Sequence, residues 1–165
     1  MRLHCSNRPP HKHRLPVPAN SGFTVVELLI VVAIILTISA IAVPNLVAAI
    51  DQAKVARAIG DIHTIGTEIQ EYDAMNGQYP NTLANIGYAW KLDPWGNPYQ
   101  YLDFQDVSGK GKMRKDRFLV PINTSFDLYS MGKDGQSVAP LTAPQSQDDI
   151  IWANDGSYIG PASNF

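Results

Sequence analysis

The sequence predicts an α+β fold in which one long amino-terminal helix packs against a small antiparallel sheet. Residues 28–50 carry no charge and are almost entirely apolar, which predicts a helix that can cross a membrane. An amphipathic repeat continues directly from this stretch. The remainder contains short segments of strand-forming residues separated by turn residues, a pattern typical of a small sheet.

The amino-terminal residues 1–22 predict a targeting segment. They hold four basic residues and no acidic one, so nine of the 13 basic residues and all 15 acidic ones follow, a balance of −6. A basic segment before an apolar run is typical of a leader that stays on the cytoplasmic side of the membrane. The net charge of −2 indicates no nucleic-acid partner. The single cysteine, Cys5, lies in this segment, so the rest of the chain forms no disulfide.

Residues 23–75 are expected to form one continuous helix in two parts. Residues 23–50 form the membrane part, and residues 51–76 form an amphipathic part that ends at Asn76 and Gly77. Apolar side chains recur in the second part at spacings of three and four: Val55, Ile59, Ile62, Ile65, Ile69 and Tyr72. This stripe must be buried against residues 77–165.

Residues 77–165 predict a globular region with three candidate strands. These are residues 99–104, 117–122 and 126–131, with residues 123–125 as a hairpin turn between the last two. Residues 108–117 form a basic stretch that we expect to be an exposed loop, and residues 137–147 are expected to be irregular. Ile150 to Trp152 supply one late apolar anchor.

Glu27 is the anomaly of the apolar helix. A charged side chain at the centre of a spanning helix costs about 2.5–3.5 kcal/mol on insertion scales, so the carboxylate requires a partner. Cleavage after Gly22 would create an ammonium group on Phe23, one helical turn from Glu27. Glu27 could then neutralise this amine in its own chain or in a neighbouring subunit, and the second arrangement would set the register of a filament.

The motif around this carboxylate resembles that of the type IV pilin and pseudopilin family. It reads Gly22-Phe23-Thr24-Val25-Val26-Glu27 and follows a basic leader, with Pro44 further along the helix. The resemblance implies a ladle-like fold, cleavage before Phe23 and methylation of its amine by a prepilin peptidase. It also implies assembly by an ATPase-driven inner-membrane platform. Pro44 is either a site where the helix can melt and extend or an ordinary proline kink.

Two further motifs look like those of the type II secretion major pseudopilin. They are Asn76-Gly77-Gln78-Tyr79-Pro80 and Asp93-Pro94-Trp95-Gly96-Asn97-Pro98-Tyr99. The resemblance implies a homopolymer that interacts with minor pseudopilins and extends from the inner membrane into the periplasm to drive protein export. The alternatives are a type IV pilus subunit and a membrane-tethered binding domain that never polymerises.

The same resemblance implies a calcium ion in the carboxy-terminal region. The expected ligands are Asp134, Asp148 and Asp149, with the backbone carbonyl of Met131. Calcium takes six to eight oxygen ligands, and three acids brought together repel one another without a cation. From spacing alone, a solvated acidic loop is the favoured interpretation of these residues.

The segment of residues 107–125 departs from the resemblance, because the major pseudopilins run almost directly between the strands on either side of it. Its basic residues could contact DNA or an acidic neighbour, but a solvated loop is the ordinary interpretation. An enzyme is not expected. His63 is the only histidine after residue 22 and no nucleophile motif accompanies it, so we expect it to be a surface or interface residue.

Overall fold

The structure is a computed structural model that describes residues 22–165. Residues 1–21, which include most of the predicted leader, lie outside the described residues. The described chain divides into two units with the boundary between Val43 and Pro44, so that the second unit is Pro44–Phe165.

The helix α1 spans Val25–Asn76, which confirms the prediction of one continuous helix. Pro44 lies inside it without ending it. The helix ends where Gly77 adopts a positive φ of 71°, and its N–H donates to the carbonyl oxygen of Asp73 at 2.7 Å. A glycine in this conformation closes a helix without the steric cost that a side chain would add.

Four strands form one antiparallel sheet in the order in which they occur along the chain. They are β1 (Gln100–Asp103), β2 (Phe126–Ser130), β3 (Ile150–Ala153) and β4 (Tyr158–Pro161). One short 3₁₀ helix, Leu83–Ile86, precedes β1, and three others lie between or after the strands, at Pro144–Ser146, Asn154–Gly156 and Ala162–Asn164. The predicted strands at residues 99–104 and 126–131 are confirmed as β1 and β2.

One face of the sheet packs against the second half of α1. Ile62, Ile65 and Ile69 are fully buried there, which confirms the predicted stripe. Their partners from the sheet include Phe126 and Trp152, whose rings are stacked 5.8 Å apart. Ala58 is also fully buried. Its burial was not predicted, because a small residue adds little to a hydrophobic pattern.

The opposite face of the sheet is covered as well, which the sequence analysis did not predict. Ile151 and Ala153 of β3 point to this face because side chains alternate along a strand. They pack against Ile122, Leu141 and Ala162, which come from the connecting segments and the carboxy terminus. All four residues of β3 are therefore buried.

The predicted strand at residues 117–122, and with it the hairpin turn at residues 123–125, is wrong. Arg117 has a positive φ of 45°, and Asp116 and Leu119 exchange backbone hydrogen bonds across a tight turn. Pro121 has no N–H to donate to a neighbouring strand. The segment instead folds back on the outer face of the sheet, and β2 pairs with β1.

The strands β3 and β4 were not predicted as strands. The apolar residues of β3 were recognised only as an anchor, because four buried positions show no alternation. The β4 segment contains Gly160 and Pro161, both of which are depleted in strands. Its position at the edge of the sheet tolerates them, since only one side of the strand is paired.

Gly66 marks the closest approach between α1 and the sheet. A Cβ atom at this position would lie within about 3 Å of three ring atoms of Trp152, whereas a Cβ at Gly60 would meet open space. We expect Gly66→Ala to lower the free energy of unfolding by about 1–3 kcal/mol through overpacking. The matched change Gly60→Ala should raise it by up to about 1 kcal/mol through helix propensity.

Chemical unfolding of both variants measures this difference. Equal stabilisation by the two alanines would contradict the tight contact between Gly66 and Trp152.

Candidate functional site

The first candidate site is the amino-terminal motif, residues 22–27, where the structure shows a closed capping box. The hydroxyl and backbone N–H of Thr24 both donate to Glu27 Oε2, at 2.8 and 2.9 Å, and the N–H of Glu27 donates to Thr24 Oγ1 at 3.2 Å. This reciprocal bonding satisfies N–H groups that lack partners at the start of a helix. The Thr-x-x-Glu spacing is the sequence signal for this capping box, which was not among the features predicted from the sequence.

The cap gives Glu27 a partner within its own chain, but that partner is neutral. The cap therefore supplies no cation to neutralise a carboxylate at the head of the apolar helix. Phe23 is 82% exposed and lies directly before the cap. Gly22 and Phe23 are thus accessible at the predicted cleavage point, although cleavage and methylation themselves stay predictions.

The helix that follows presents apolar side chains on every side. Each large hydrophobic residue between positions 23 and 50 is at least 44% exposed, and the segment is long and apolar enough to cross a membrane. Monomeric soluble proteins rarely expose apolar patches of more than a few hundred Å². This surface must therefore contact lipid or other apolar helices.

The second candidate site is the acidic loop, residues 131–149, which contains the four predicted calcium ligands. Asp148 organises one end of it, because its Oδ2 accepts hydrogen bonds from the N–H groups of Lys133 and Asp134, at 2.7 and 3.0 Å. Asp134 Oδ1 accepts from the N–H of Gln136 at 2.7 Å. Lys133 also contacts Asp51 of α1, with Nζ 2.7 Å from Oδ2. Met131 lies directly after β2.

Asp149 has different partners from its neighbour Asp148. Its side chain is completely buried and forms an ion pair with Arg114, while the hydroxyl of Ser137 donates to the same oxygen, Oδ2, at 2.5 Å. Burial raises the pKa of Asp149 to about 6, and the hydrogen bond from Ser137 and the charge of Arg114 oppose this rise. The carboxylate is therefore costly to bury and depends on its partners.

Arg114 corrects our interpretation of the basic segment as an exposed loop. Its side chain is only 3% exposed, so it does not belong to a surface that could contact DNA or an acidic neighbour. The backbone N–H of Arg114 donates to Asp127 Oδ2 at 2.6 Å. Its guanidinium carbon lies 4.3 Å from the ring centroid of Tyr129. Nothing in the sequence indicates this burial, because arginine in a glycine-containing basic stretch is normally exposed.

The expected calcium ligands do not fit a calcium site in this arrangement. Within residues 22–165, no group of three or more acidic, histidine or cysteine side chains is placed to hold a metal ion. Asp148 and Asp149 use their Oδ2 atoms for different hydrogen bonds, and Asp149 already has a cationic partner. Calcium binding stays a prediction from the resemblance.

The fold and the amino-terminal motif define a membrane-anchored subunit of the pilin and pseudopilin class. Residues 18–43 match the family described as "Prokaryotic N-terminal methylation motif". The chain is 36% identical over 137 residues to the type II secretion system core protein G of Pseudomonas aeruginosa, covering 70% of this chain and 85% of the relative. The chain therefore belongs to the family of the type II secretion system core protein G.

Other members of this family match a similar share of the chain at lower identity. The core protein G of Aeromonas hydrophila is 29% identical over 138 residues, covering 71% of this chain and 85% of the relative. That of Vibrio cholerae is 29% identical over 136 residues, covering 70% and 82%. No solved structure matches the chain significantly. Family membership indicates a structural subunit. The side chain of His63 is exposed, as expected from the sequence.

The hydrogen bonds of Asp148 generate a stability prediction. Asp148→Ala removes the acceptor for two backbone N–H groups and should lower the free energy of unfolding by about 1–3 kcal/mol. Asp148→Asn keeps an acceptor oxygen and should retain most of the stability. Asp134→Ala, which loses one such bond, is the control and should have a smaller effect.

Denaturant unfolding of the three variants measures the order of their free energies of unfolding. An asparagine variant as unstable as the alanine variant would show that the charge of Asp148 matters, as it would for a metal ligand.

Proposed function

We propose that the chain is cleaved after Gly22 and polymerises as the major subunit of a pseudopilus that drives protein export across the outer membrane. Its partners would be further copies of itself, minor pseudopilins, a prepilin peptidase and an inner-membrane assembly platform. The globular region would lie in the periplasm. The observation that supports this most strongly is the carboxyl side chain of Glu27 at the start of a helix that exposes apolar side chains on all sides.

The apolar surface of the helix favours two environments in succession. Before assembly, lipid accommodates residues 28–50, which are long enough for a hydrocarbon core of about 30 Å. In a filament, the same surface would pack against the equivalent helices of other subunits. Because lipid tails are as apolar as leucine side chains, burial of apolar surface alone does not favour one environment over the other.

Glu27 supplies the specificity that apolar packing lacks. A sliding arrangement of smooth apolar helices has many registers of similar energy, whereas a buried carboxylate is stabilised only where it meets a cation. The amine of Phe23, created by cleavage, is the cation closest along the chain. Its pairing with Glu27 of a neighbouring subunit would select one register.

Secretion is favoured over a type IV pilus by two observations. The relatives that match most of the chain are components of type II secretion systems. The described chain from Gly22 onward also contains no cysteine, so its carboxy-terminal region is closed without a disulfide. If the wild-type chain forms no filaments in the test below, the alternative of a tethered domain that does not polymerise is supported.

Two variants separate the charge of Glu27 from its capping role. Glu27→Gln keeps an acceptor for the capping box but removes the charge. We expect this chain to be cleaved normally and to form few or no filaments, with loss of export. Thr24→Ala is the matched control, because it opens the same cap, at a cost of about 1 kcal/mol, and leaves the charge in place.

Electron microscopy and immunoblotting of sheared filaments, together with an export assay, measure the outcome. The proposal predicts that Thr24→Ala assembles and Glu27→Gln does not. Normal filaments from Glu27→Gln, or equal failure of both variants, would show that Glu27 acts only as a helix cap and that its charge does not direct assembly.

A further inference from the structure

We propose that the guanidinium of Arg114 is the cation that closes the acidic loop, so that this protein folds its carboxy-terminal region without a calcium ion. The proposal concerns residues 131–149 and the segment of residues 107–125, and it does not depend on the proposed function.

The guanidinium gathers the two ends of the segment 137–149. Its Nη2 donates to Asp149 Oδ2, while Nη1 donates to Ser137 Oγ at 2.5 Å and to the carbonyl oxygen of Val138 at 2.7 Å. A carboxylate, a hydroxyl and a backbone carbonyl are the types of oxygen that a calcium ion collects. Arg114 thus joins the same classes of oxygen through directed N–H groups.

The sheet holds Arg114 in place from the other side. Asp127 of β2 accepts the N–H of Arg114 at 2.6 Å, and the ring of Tyr129, also in β2, lies against the guanidinium. The carbonyl oxygen of Arg114 accepts from the N–H of Ile122 at 3.2 Å. Because these contacts come from β2 and the outer-face packing, groups outside the acidic loop also fix the position of the guanidinium.

A calcium ion would find few free ligands beside this arginine. Asp149 Oδ1 is buried without a hydrogen-bond partner, but it is one oxygen where calcium takes six to eight. Oδ2 of the same carboxylate is bonded to Arg114 and Ser137. A divalent ion here would also lie next to a buried positive charge, which repels it strongly in a medium of low dielectric constant.

The origin of Arg114 in the chain is consistent with this exchange. It comes from residues 107–125, the segment in which this sequence departs from the pseudopilin resemblance. The segment supplies Arg114 to the loop and Ile122 to the outer core of the sheet. One insertion thus contributes both the cation and part of the apolar cover around it.

Thermal unfolding of the full chain in mild detergent tests the proposal without any variant. We expect the Tm of the wild type to agree within about 1 °C in excess CaCl₂ and in excess EDTA, because a ligand that does not bind the folded state cannot stabilise it. Equilibrium binding of ⁴⁵Ca²⁺ to the same preparation should be absent. A Tm several degrees lower in EDTA, together with bound calcium, would overturn the proposal.

A matched pair of arginine variants tests the role of the guanidinium. Arg114→Met strands the buried carboxylate of Asp149 and should lower the Tm by about 10 °C or more. Arg117→Met makes the same change at an exposed position of the same segment and should shift the Tm by no more than about 2 °C. Adding Asp149→Asn to Arg114→Met should recover part of the loss.

Equal Tm values for the two methionine variants would contradict the proposal. If Arg114→Met fails to fold, the wild-type comparison in CaCl₂ and EDTA still decides the question.

Discussion

The apolar surface between Phe23 and Ile50 is the constraint on which the rest of the molecule depends. Every large side chain in this half of α1 is exposed, so the segment is stable only in lipid or among similar helices. Apolar side chains that contact lipid or neighbouring helices are not available to form a hydrophobic core within the chain. The unit Pro44–Phe165 must therefore fold with the residues that remain.

The unit Pro44–Phe165 folds around a small sheet whose two faces are both covered. The isoleucine stripe of α1 covers one face, and the connecting segments cover the other. A small domain with no cysteine in its sequence after Cys5 lacks the usual means of holding long loops. Arg114 holds the loop through an internal ion pair with Asp149. Both charges are buried, so each of them requires the other.

The sequence predicted the features that follow from local patterns. The helix, its end at Asn76 and Gly77, the buried isoleucines and the strands β1 and β2 each have a periodic or turn signal. The strands β3 and β4 have none, because β3 is buried on both faces and β4 contains Gly160 and Pro161. Their pairing is fixed by packing between distant segments.

The candidate sites divide in the same way. Glu27 was identified because a charge in an apolar run is visible in the sequence, although its bond to Thr24 was overlooked. The partnership of Arg114 with Asp149 joins residues 35 positions apart, and nothing local to either residue indicates it. The resemblance to pseudopilins predicted a calcium ion at this place, and that prediction stays untested. The structure places a side-chain cation, Arg114, against Asp149.

The central claim is that cleavage creates a new amine at the head of the apolar helix, where Glu27 carries the charge that meets it. Mass spectrometry of the protein isolated from membranes tests this claim most directly. The account predicts a chain that begins at Phe23 and carries a methyl group on its amine. A chain that retains residues 1–22, with an unmodified Phe23 inside it, would contradict the account.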